Sequence, residues 1–332
     1  MPDSKMQSLY SQLHSLGVST FFARKAFPSW WEDSIASTDS GLQQAQIYLS
    51  KAFNLDIRSF DEKRIEFRQT QRKFKLSRNV SEKEVSLSAH YATGIARVVL
   101  FSIENQTPVP QEPLELRSEC LTNGDSVNLT TLLQWCSAAN IPVMHVDDLP
   151  GKKMTGLVVR ESGKYAIILS RKGCQSEMLF WLAHELGHIA CGHLNQDGFF
   201  ADEKIGNNAE DDDEKQADKY GVLLLNGAEK KYTVKSLMPA KQLAVAATSM
   251  GESSQVDPGH ILLNFGHHSN QFKLAKAALN ELHQTSEAAI KEVNGTFFNW
   301  FTEGPISEDQ LEIIQKACSY QPNLAAPKEL TK

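Results

Sequence analysis

Cysteines are few in this sequence, and long apolar runs are missing. The 332 residues include five cysteines, with no C-x-x-C pair and no disulfide-framework spacing, so we expect reduced thiols. No apolar run approaches the ~20 residues of a membrane helix, and no secretory leader pattern opens the chain. Internal repeats and a glycine-rich phosphate loop are also missing. These absences predict a cytoplasmic protein that does not contact a membrane.

Charge is distributed unevenly along the chain. The net charge is −6, yet residues 1–110 hold 14 Lys and Arg against 11 Asp and Glu. The basic excess lies at Lys63, Arg64, Arg68, Arg72, Lys73, Lys75 and Arg78. We interpret this part as a helical N-terminal domain with a basic face. Three alternatives stay open for that face: contact with DNA phosphates, docking of an acidic protein, or a solvated helix.

The sequence H-E-L-G-H at 184–188 lies within an apolar stretch that predicts a helix. Residues four apart share one face of a helix, so the imidazoles of His184 and His188 can reach one metal ion. Glu185 then lies beside the ion, where a carboxylate can accept a proton from water. The spacing favours a zinc hydrolase over two ordinary buried histidines, which remain the alternative.

A second helix is predicted over residues 211–225, with Asp211 to Asp213 at its start, and it offers a third ligand. Glu214 and Asp218 fall on its otherwise apolar stripe, and buried carboxylates need partners. Glu214 is the candidate ligand, and Asp218 could accept the free ring N–H of a ligating histidine. A surface carboxylate is the alternative for each. The acid-rich segment 195–213 between the two helices could regulate access to the metal; a solvated acidic linker is the preferred interpretation.

Further residues are weaker candidates. His193, Tyr220 and His260 could stabilise a transition state or contact substrate if the fold brings them to the metal. His193 is equally explained as a cation at a helix C-terminus. Asp257 followed by Pro258 predicts the start of another helix.

The segment before the motif predicts a helix, a strand and a β-hairpin. The helix covers 129–139 and the strand 140–146, and the hairpin strands 155–160 and 165–170 flank a four-residue loop. A metal-bearing helix beside a small sheet is typical of zincin metallopeptidases. We therefore predict an α+β fold with a zincin-like metallopeptidase domain, a mainly helical N-terminal domain and a helical C-terminal extension.

These motifs resemble the ImmA/IrrE family of zinc metallopeptidases. The resemblance rests on the strand ending in Ile-Leu-Ser, on L-A-H-E-L-G-H at 182–188 and on E-x-x-A-D-x-Y-G at 214–221, and it covers about residues 125–265. The second motif of the family usually reads E-x-x-A-N-x-F-A, so Asp218, Tyr220 and Gly221 are variants. An acidic residue four positions after the ligand Glu is also found in thermolysin-like gluzincins.

The resemblance implies one zinc ion per chain and cleavage of a specific intracellular protein. The implied substrate is a helix-turn-helix repressor or an antitoxin-like regulator in a mobile-element, phage-related or stress-response system. The alternative is a DNA-binding regulator, or an antagonist that traps a repressor without cutting it. The predicted division of the chain is 1–105 basic-faced N-terminal domain, 106–124 linker, 125–270 metallopeptidase domain, 271–320 helical extension and 321–332 flexible tail.

Overall fold

The computed structural model describes residues 4–62, 64–76, 80–203, 212–234, 236, 238–301 and 306–321. These residues form an α+β protein, which confirms the predicted class: helices surround one five-stranded sheet. Within the described ranges, no helix is both long and apolar enough to cross a bilayer.

The strands are short. They are β1 Gln71–Lys75, β2 Val143–His145, β3 Gly156–Glu161, β4 Lys164–Leu169 and β5 Gly198–Asp202. The α-helices of the described residues are α1 Ser4–Ser15, α2 Thr20–Ala23, α3 Asp39–Phe53, α4 Glu82–Phe101, α5 Pro113–Leu121, α6 Leu129–Ala138, α7 Gln175–Ala190, α8 Asp212–Asn226, α9 Ala240–Ser254, α10 Pro258–Ser269, α11 Phe272–Glu281, α12 Ser286–Trp300 and α13 Glu308–Ala317.

The sheet has the strand order β1-β5-β3-β4-β2. β5 runs parallel to β1 and antiparallel to β3, and β4 runs antiparallel to β3 and parallel to β2. In this register Gly156 of β3 faces Asp202 of β5, which in turn faces Lys75 of β1. The end of β5 is therefore fixed from both sides.

Helices cover both faces of the sheet. Successive strand residues point to opposite sides, so the strands β2 to β5 each contribute side chains to two different cores. Leu157 and Val159 join a core with residues of α3, α4 and α13. Val158 and Phe200 join a second core with residues of α6, α7 and α8. Residues of α9, α10 and α11 form a third core of their own.

The N-terminal part is less purely helical than predicted. β1 occupies part of the basic stretch, and its five residues read Gln-Arg-Lys-Phe-Lys. Side chains therefore alternate between two faces instead of lining one face of a helix. The first core also joins residues of α1 and α13, such as Met6 and Ile314, so residues 1–105 pack with distant parts of the chain.

The prediction of a solvated acidic linker over residues 195–213 is wrong for part of that segment. Residues 198–202 form β5, and all five are buried. The pairing of β5 with β1 and β3 and the burial of Phe199 and Phe200 explain the difference. Residues 204–211 of that segment lie outside the described residues.

Smaller differences concern turns and linkers. The hairpin loop contains two residues, not four, because Ser162 and Gly163 both adopt positive φ, 53° and 78°, as a type I′ turn requires. The predicted linker 106–124 contains α5, whose Arg117 donates to the carbonyls of Leu224 and Leu225 at 3.1 and 2.7 Å. Of the predicted tail, residues 322–332 lie outside the described residues.

Candidate metal centre

The site lies between α7 and α8, and small residues let these helices approach each other. A Cβ at Gly187 would lie 2.8 Å from the backbone oxygen of Ala217, closer than real atoms approach. A Cβ at Gly221 would lie 3.4 Å from the backbone nitrogen of His184. The glycines and Ala217 thus place the polar stripe of α8 directly against the two histidines of α7.

Four buried side chains meet at this contact: His184, His188, Asp202 and Glu214. The Nε2 atoms of the two histidines lie 3.0 Å apart. Asp202 Oδ2 lies 3.2 Å from His184 Nε2 and 3.3 Å from His188 Nε2. Glu214 reaches the same nitrogens at 3.7 and 3.4 Å. The four candidate ligand atoms therefore surround one point, which we call the metal point.

The donor set fits a divalent metal ion. Tetrahedral zinc with ligands at 2.0–2.1 Å places neighbouring ligand atoms about 3.3–3.4 Å apart, close to the spacings seen here. Asp202 Oδ1 is buried and has no hydrogen-bond partner among the described residues. A buried, unpaired carboxylate oxygen is costly, and a cation at this point would remove that cost. Two imidazoles and two carboxylates suit zinc, with manganese and iron as chemically allowed substitutes.

Outer contacts turn the Nε2 atom of each histidine toward the metal point. His184 Nδ1 lies 2.8 Å from Asp218 Oδ1, so the contact expected from the helical spacing is present. His188 Nδ1 lies 2.7 Å from His193 Nδ1. When the Nδ1 atoms carry the protons, both Nε2 lone pairs are free for a metal.

The carboxylates dominate the electrostatics of the cluster. Burial lowers the pKa of His184, but hydrogen bonds to Asp202 and Asp218 outweigh it and raise the pKa to about 10. Burial also lowers the pKa of His188, but hydrogen bonds to Asp202 and Glu214 outweigh this effect and raise the pKa to about 9. In the metal-free protein the carboxylates therefore hold protons on both imidazoles. A divalent cation would take the place of those protons.

Glu185 is buried beside the cluster, and Gly156 makes the space for it. A Cβ at Gly156 would lie only 1.8 Å from Glu185 Oε1, so any other residue there would displace the carboxylate. Neither oxygen of Glu185 has a hydrogen-bond partner among the described residues. Burial and the nearby charge of Asp202 raise the pKa of Glu185. The carboxylate is thus held ready to take up a proton.

Two of the predicted basic contacts face this site. Lys75 forms an ion pair with Glu214, and Lys73 Nζ lies 2.8 Å from Asp213 Oδ2. Both side chains project from β1 toward the acidic first turn of α8. The proposed contact of these two lysines with DNA or a partner stays a prediction, and it now requires that they leave these ion pairs.

The other basic residues lie apart from the metal point. Arg68 pairs with Glu161 at 3.5 Å, Arg64 pairs with Glu66 at 3.3 Å, and Arg72 is exposed. Lys63 and Arg78 lie outside the described residues.

Tyr220 and His260 are not brought to the cluster. The Tyr220 hydroxyl donates to the Pro110 carbonyl oxygen at 2.7 Å. His260 is buried against Phe180, with ring centroids 6.1 Å apart. Of the three weaker candidates, only His193 contacts a residue of the cluster.

Sequence reasoning missed Asp202, Gly156 and the role of Lys75 as the partner of Glu214. The signal for Asp202 was the apolar triplet Phe199-Phe200-Ala201 directly before it, which resembles a buried strand more than a linker. Gly156 left no signal, because its importance depends on a contact with a distant helix.

Comparisons with protein-family models, with curated proteins and with solved structures gave no match. The resemblance to the ImmA/IrrE family therefore rests on the motif residues quoted above.

Proposed function

We propose that this chain is a zinc-dependent endopeptidase. The observation that carries the proposal is the juxtaposition of the four-residue cluster with Glu185, which is buried and unpaired in the space left by Gly156. A purely structural metal site needs its ligands but has no use for an additional buried carboxylate. Such a carboxylate is costly to the fold, and acid–base chemistry gives it a role.

His184, His188 and Glu214 would hold the ion, on the pattern of two histidines and one glutamate in catalytic zinc sites. A bound zinc ion supplies Lewis acidity and lowers the pKa of water at the site. Glu185 accepts the proton of the attacking water at its carboxylate oxygen and returns it to the amine nitrogen that leaves. Asp218 keeps the His184 ring in its orientation through the Nδ1 contact.

The substrate class follows from the family resemblance. We propose a specific intracellular protein, a helix-turn-helix repressor or antitoxin-like regulator, as the target. A fully buried site supports a narrow specificity, because the groups of the cluster and Glu185 are at most 1% exposed and an arbitrary peptide cannot reach them.

The test compares wild type with Glu185→Gln, co-expressed with the helix-turn-helix protein encoded beside the gene. Fragment termini are read by mass spectrometry, and bound zinc is measured in the purified proteins. We expect fragments with wild type only and equal zinc in both. Glu177→Gln is the matched control, because Glu177 lies on the same helix and glutamine preserves its capping role.

Two outcomes would contradict the proposal. Equal cleavage by Glu185→Gln would remove Glu185 from the mechanism. An intact partner in a stable complex with every variant, with zinc bound, would favour the antagonist that traps a regulator without cutting it.

A further inference from the structure

The cluster contains one more ligand than a hydrolytic zinc site uses. Catalytic zinc sites have three protein ligands and leave the fourth position to water or substrate, whereas closed structural sites have four. Here Asp202 Oδ2 lies 3.2 and 3.3 Å from the two histidine Nε2 atoms, closer than the glutamate ligand at 3.7 and 3.4 Å. Asp202 therefore occupies the place where water would be expected.

The position of Asp202 is firmly determined by its backbone. Its carbonyl accepts from Thr155 N at 2.7 Å, and Glu203 N donates to the Lys75 carbonyl at 3.0 Å. The Thr155 hydroxyl donates to the Glu203 carbonyl at 3.1 Å. These bonds tie the end of β5 to both sides of the sheet, so the carboxylate is directed at the metal point by the strand.

The same strand closes the site to substrate. β5 pairs with β3 at Gly156, the residue against which Glu185 lies, and β1 covers the other edge of β5. All residues of β5 are buried, and His184, Glu185, His188 and Glu214 are at most 1% exposed. A peptide bond cannot reach Glu185 while β5 keeps this position.

We propose that Asp202 is an internal fourth ligand and that the fold described here is the latent form of the enzyme. Substrate hydrolysis requires the Asp202 carboxylate to leave the metal, which frees a coordination position beside Glu185. This inference rests on the proposed function for its consequence in catalysis. The ligand role of Asp202 itself depends only on the metal site.

The test uses the full chain loaded with cobalt(II), whose visible absorption reports the number of ligands. Wild type, Asp202→Ala and Asp197→Ala are titrated with acetohydroxamate, a small metal-binding probe. Asp197 is the matched control, because it precedes the same strand but pairs with Arg160 at 3.2 Å, away from the cluster. Zinc affinity is measured in parallel by competition with a chromophoric chelator.

We expect wild type and Asp197→Ala to show a four-coordinate spectrum that acetohydroxamate does not change. Asp202→Ala should show an altered spectrum and bind the probe. Its zinc affinity should fall by at least about tenfold, since even the loss of an outer-shell partner costs that much. Probe binding by wild type as tight as by Asp202→Ala, or an identical cobalt spectrum in the two proteins, would overturn the proposal, because Asp202 would then pair with the histidines only in the metal-free protein.

Peptidase assays on the same proteins separate the two proposals. The substrate is the co-expressed helix-turn-helix protein, because removing the Asp202 carboxylate alone leaves β5 over the site and an arbitrary protein still cannot enter. Asp202→Ala should cleave this target faster than wild type, since the target no longer has to displace a ligand, and Asp202→Ala combined with Glu185→Gln should not cleave it. If Asp202→Ala binds the probe yet cleaves nothing, the proposed peptidase function fails while the ligand role of Asp202 stands. If none of the variants binds cobalt or zinc, the metal site itself fails.

Discussion

The buried histidine of α4 and the two buried histidines of α7 have opposite environments. His90 of α4 stacks on Phe67, with ring centroids 3.9 Å apart, and its pKa falls to about 3 because of burial and the charge of Arg72. His184 and His188 are buried to the same degree, yet their pKa values rise to about 10 and about 9. The difference lies in the neighbours of each ring.

Among the described residues, the hydrogen-bonding partner of His90 is neutral: Asn54 Nδ2 lies 3.3 Å from Nδ1. Around His184 two carboxylates, Asp202 and Asp218, lie within 3.2 Å. Burial alone therefore does not identify a functional histidine. Carboxylates that face the ring nitrogens, with Asp202 fully buried, indicate a candidate metal site, because a buried acid is unfavourable without a cation or a proton.

Substituting one histidine of each region by alanine gives the largest expected difference in zinc affinity. His184→Ala removes a ligand, so we expect zinc affinity to fall by more than about a hundredfold, beyond the range for outer-shell residues. His90→Ala should keep full zinc occupancy, although its fold is destabilised by the lost packing. Zinc content after gel filtration and chelator competition measure both effects. Zinc retained at full occupancy by His184→Ala would remove His184 from the ligand set.

The second contrast concerns the acid that orients His184. In Asp218→Ala the Nδ1–H of His184 loses its acceptor, and we expect zinc to bind ten- to a hundredfold more weakly. Asp218→Asn should stay close to wild type, because the amide oxygen can accept the same hydrogen bond. Asp212→Ala is the control on the same helix, where the acid is exposed and pairs with Lys215 at 3.0 Å. Equal affinities in all four proteins would show that Asp218 does not support the site.

The sequence predicted the two helices of the site because one periodicity links their residues. In H-E-x-x-H and in E-x-x-A-D, a spacing of three or four positions places polar groups on one face, and this information is local. The start of α10 was also predicted from local information, Asp257 followed by Pro258. The structure confirms it, because Asp257 caps the helix by accepting from His260 N at 2.8 Å.

The parts that sequence reasoning missed depend on contacts between distant residues. β1 carries four polar side chains in five residues, and it becomes a strand only because β5 pairs with it. Asp202 was one acid among many in an acid-rich segment. Its role appears only when β5 is placed between β1 and β3. The charge pattern alone cannot say that Lys75 pairs with Glu214 across 139 positions of sequence.

Within the predicted helical extension, residues 274–293 have an amphipathic pattern that predicts one continuous helix, and this prediction shows the same limit on a smaller scale. The structure divides it into α11 and α12, with His283 at φ 56° between them. A left-handed residue ends a helix, but glycine or asparagine is the usual signal for that conformation. Histidine gives no such signal, so the periodicity appeared continuous.

The smallest expected effect is the contribution of His90 to the pH dependence of the free energy of unfolding. An unfolded histidine has a pKa near ~6.5, while that of folded His90 is about 3. Between these values the unfolded chain binds a proton that the folded chain does not. His90 therefore contributes a loss of stability as pH falls through this window, of about 1.4 kcal/mol per pH unit. Above ~6.5 that contribution is absent.

His90→Gln should remove this slope while glutamine still offers an acceptor to Asn54. Urea unfolding at pH 7 gives the cost of the substitution itself, and the same measurement near pH 5 gives the titration effect. A chelator is present throughout, so that loss of zinc in acid does not contribute. His184 and His188, with raised pKa values in the folded protein, lose stabilising effect as pH rises above about 6.5, and this contribution is the same in wild type and His90→Gln, so the comparison of the two proteins cancels it. An unchanged slope in His90→Gln would show that His90 reaches water in the folded protein, and the contrast between the two regions would then be smaller than the structure indicates.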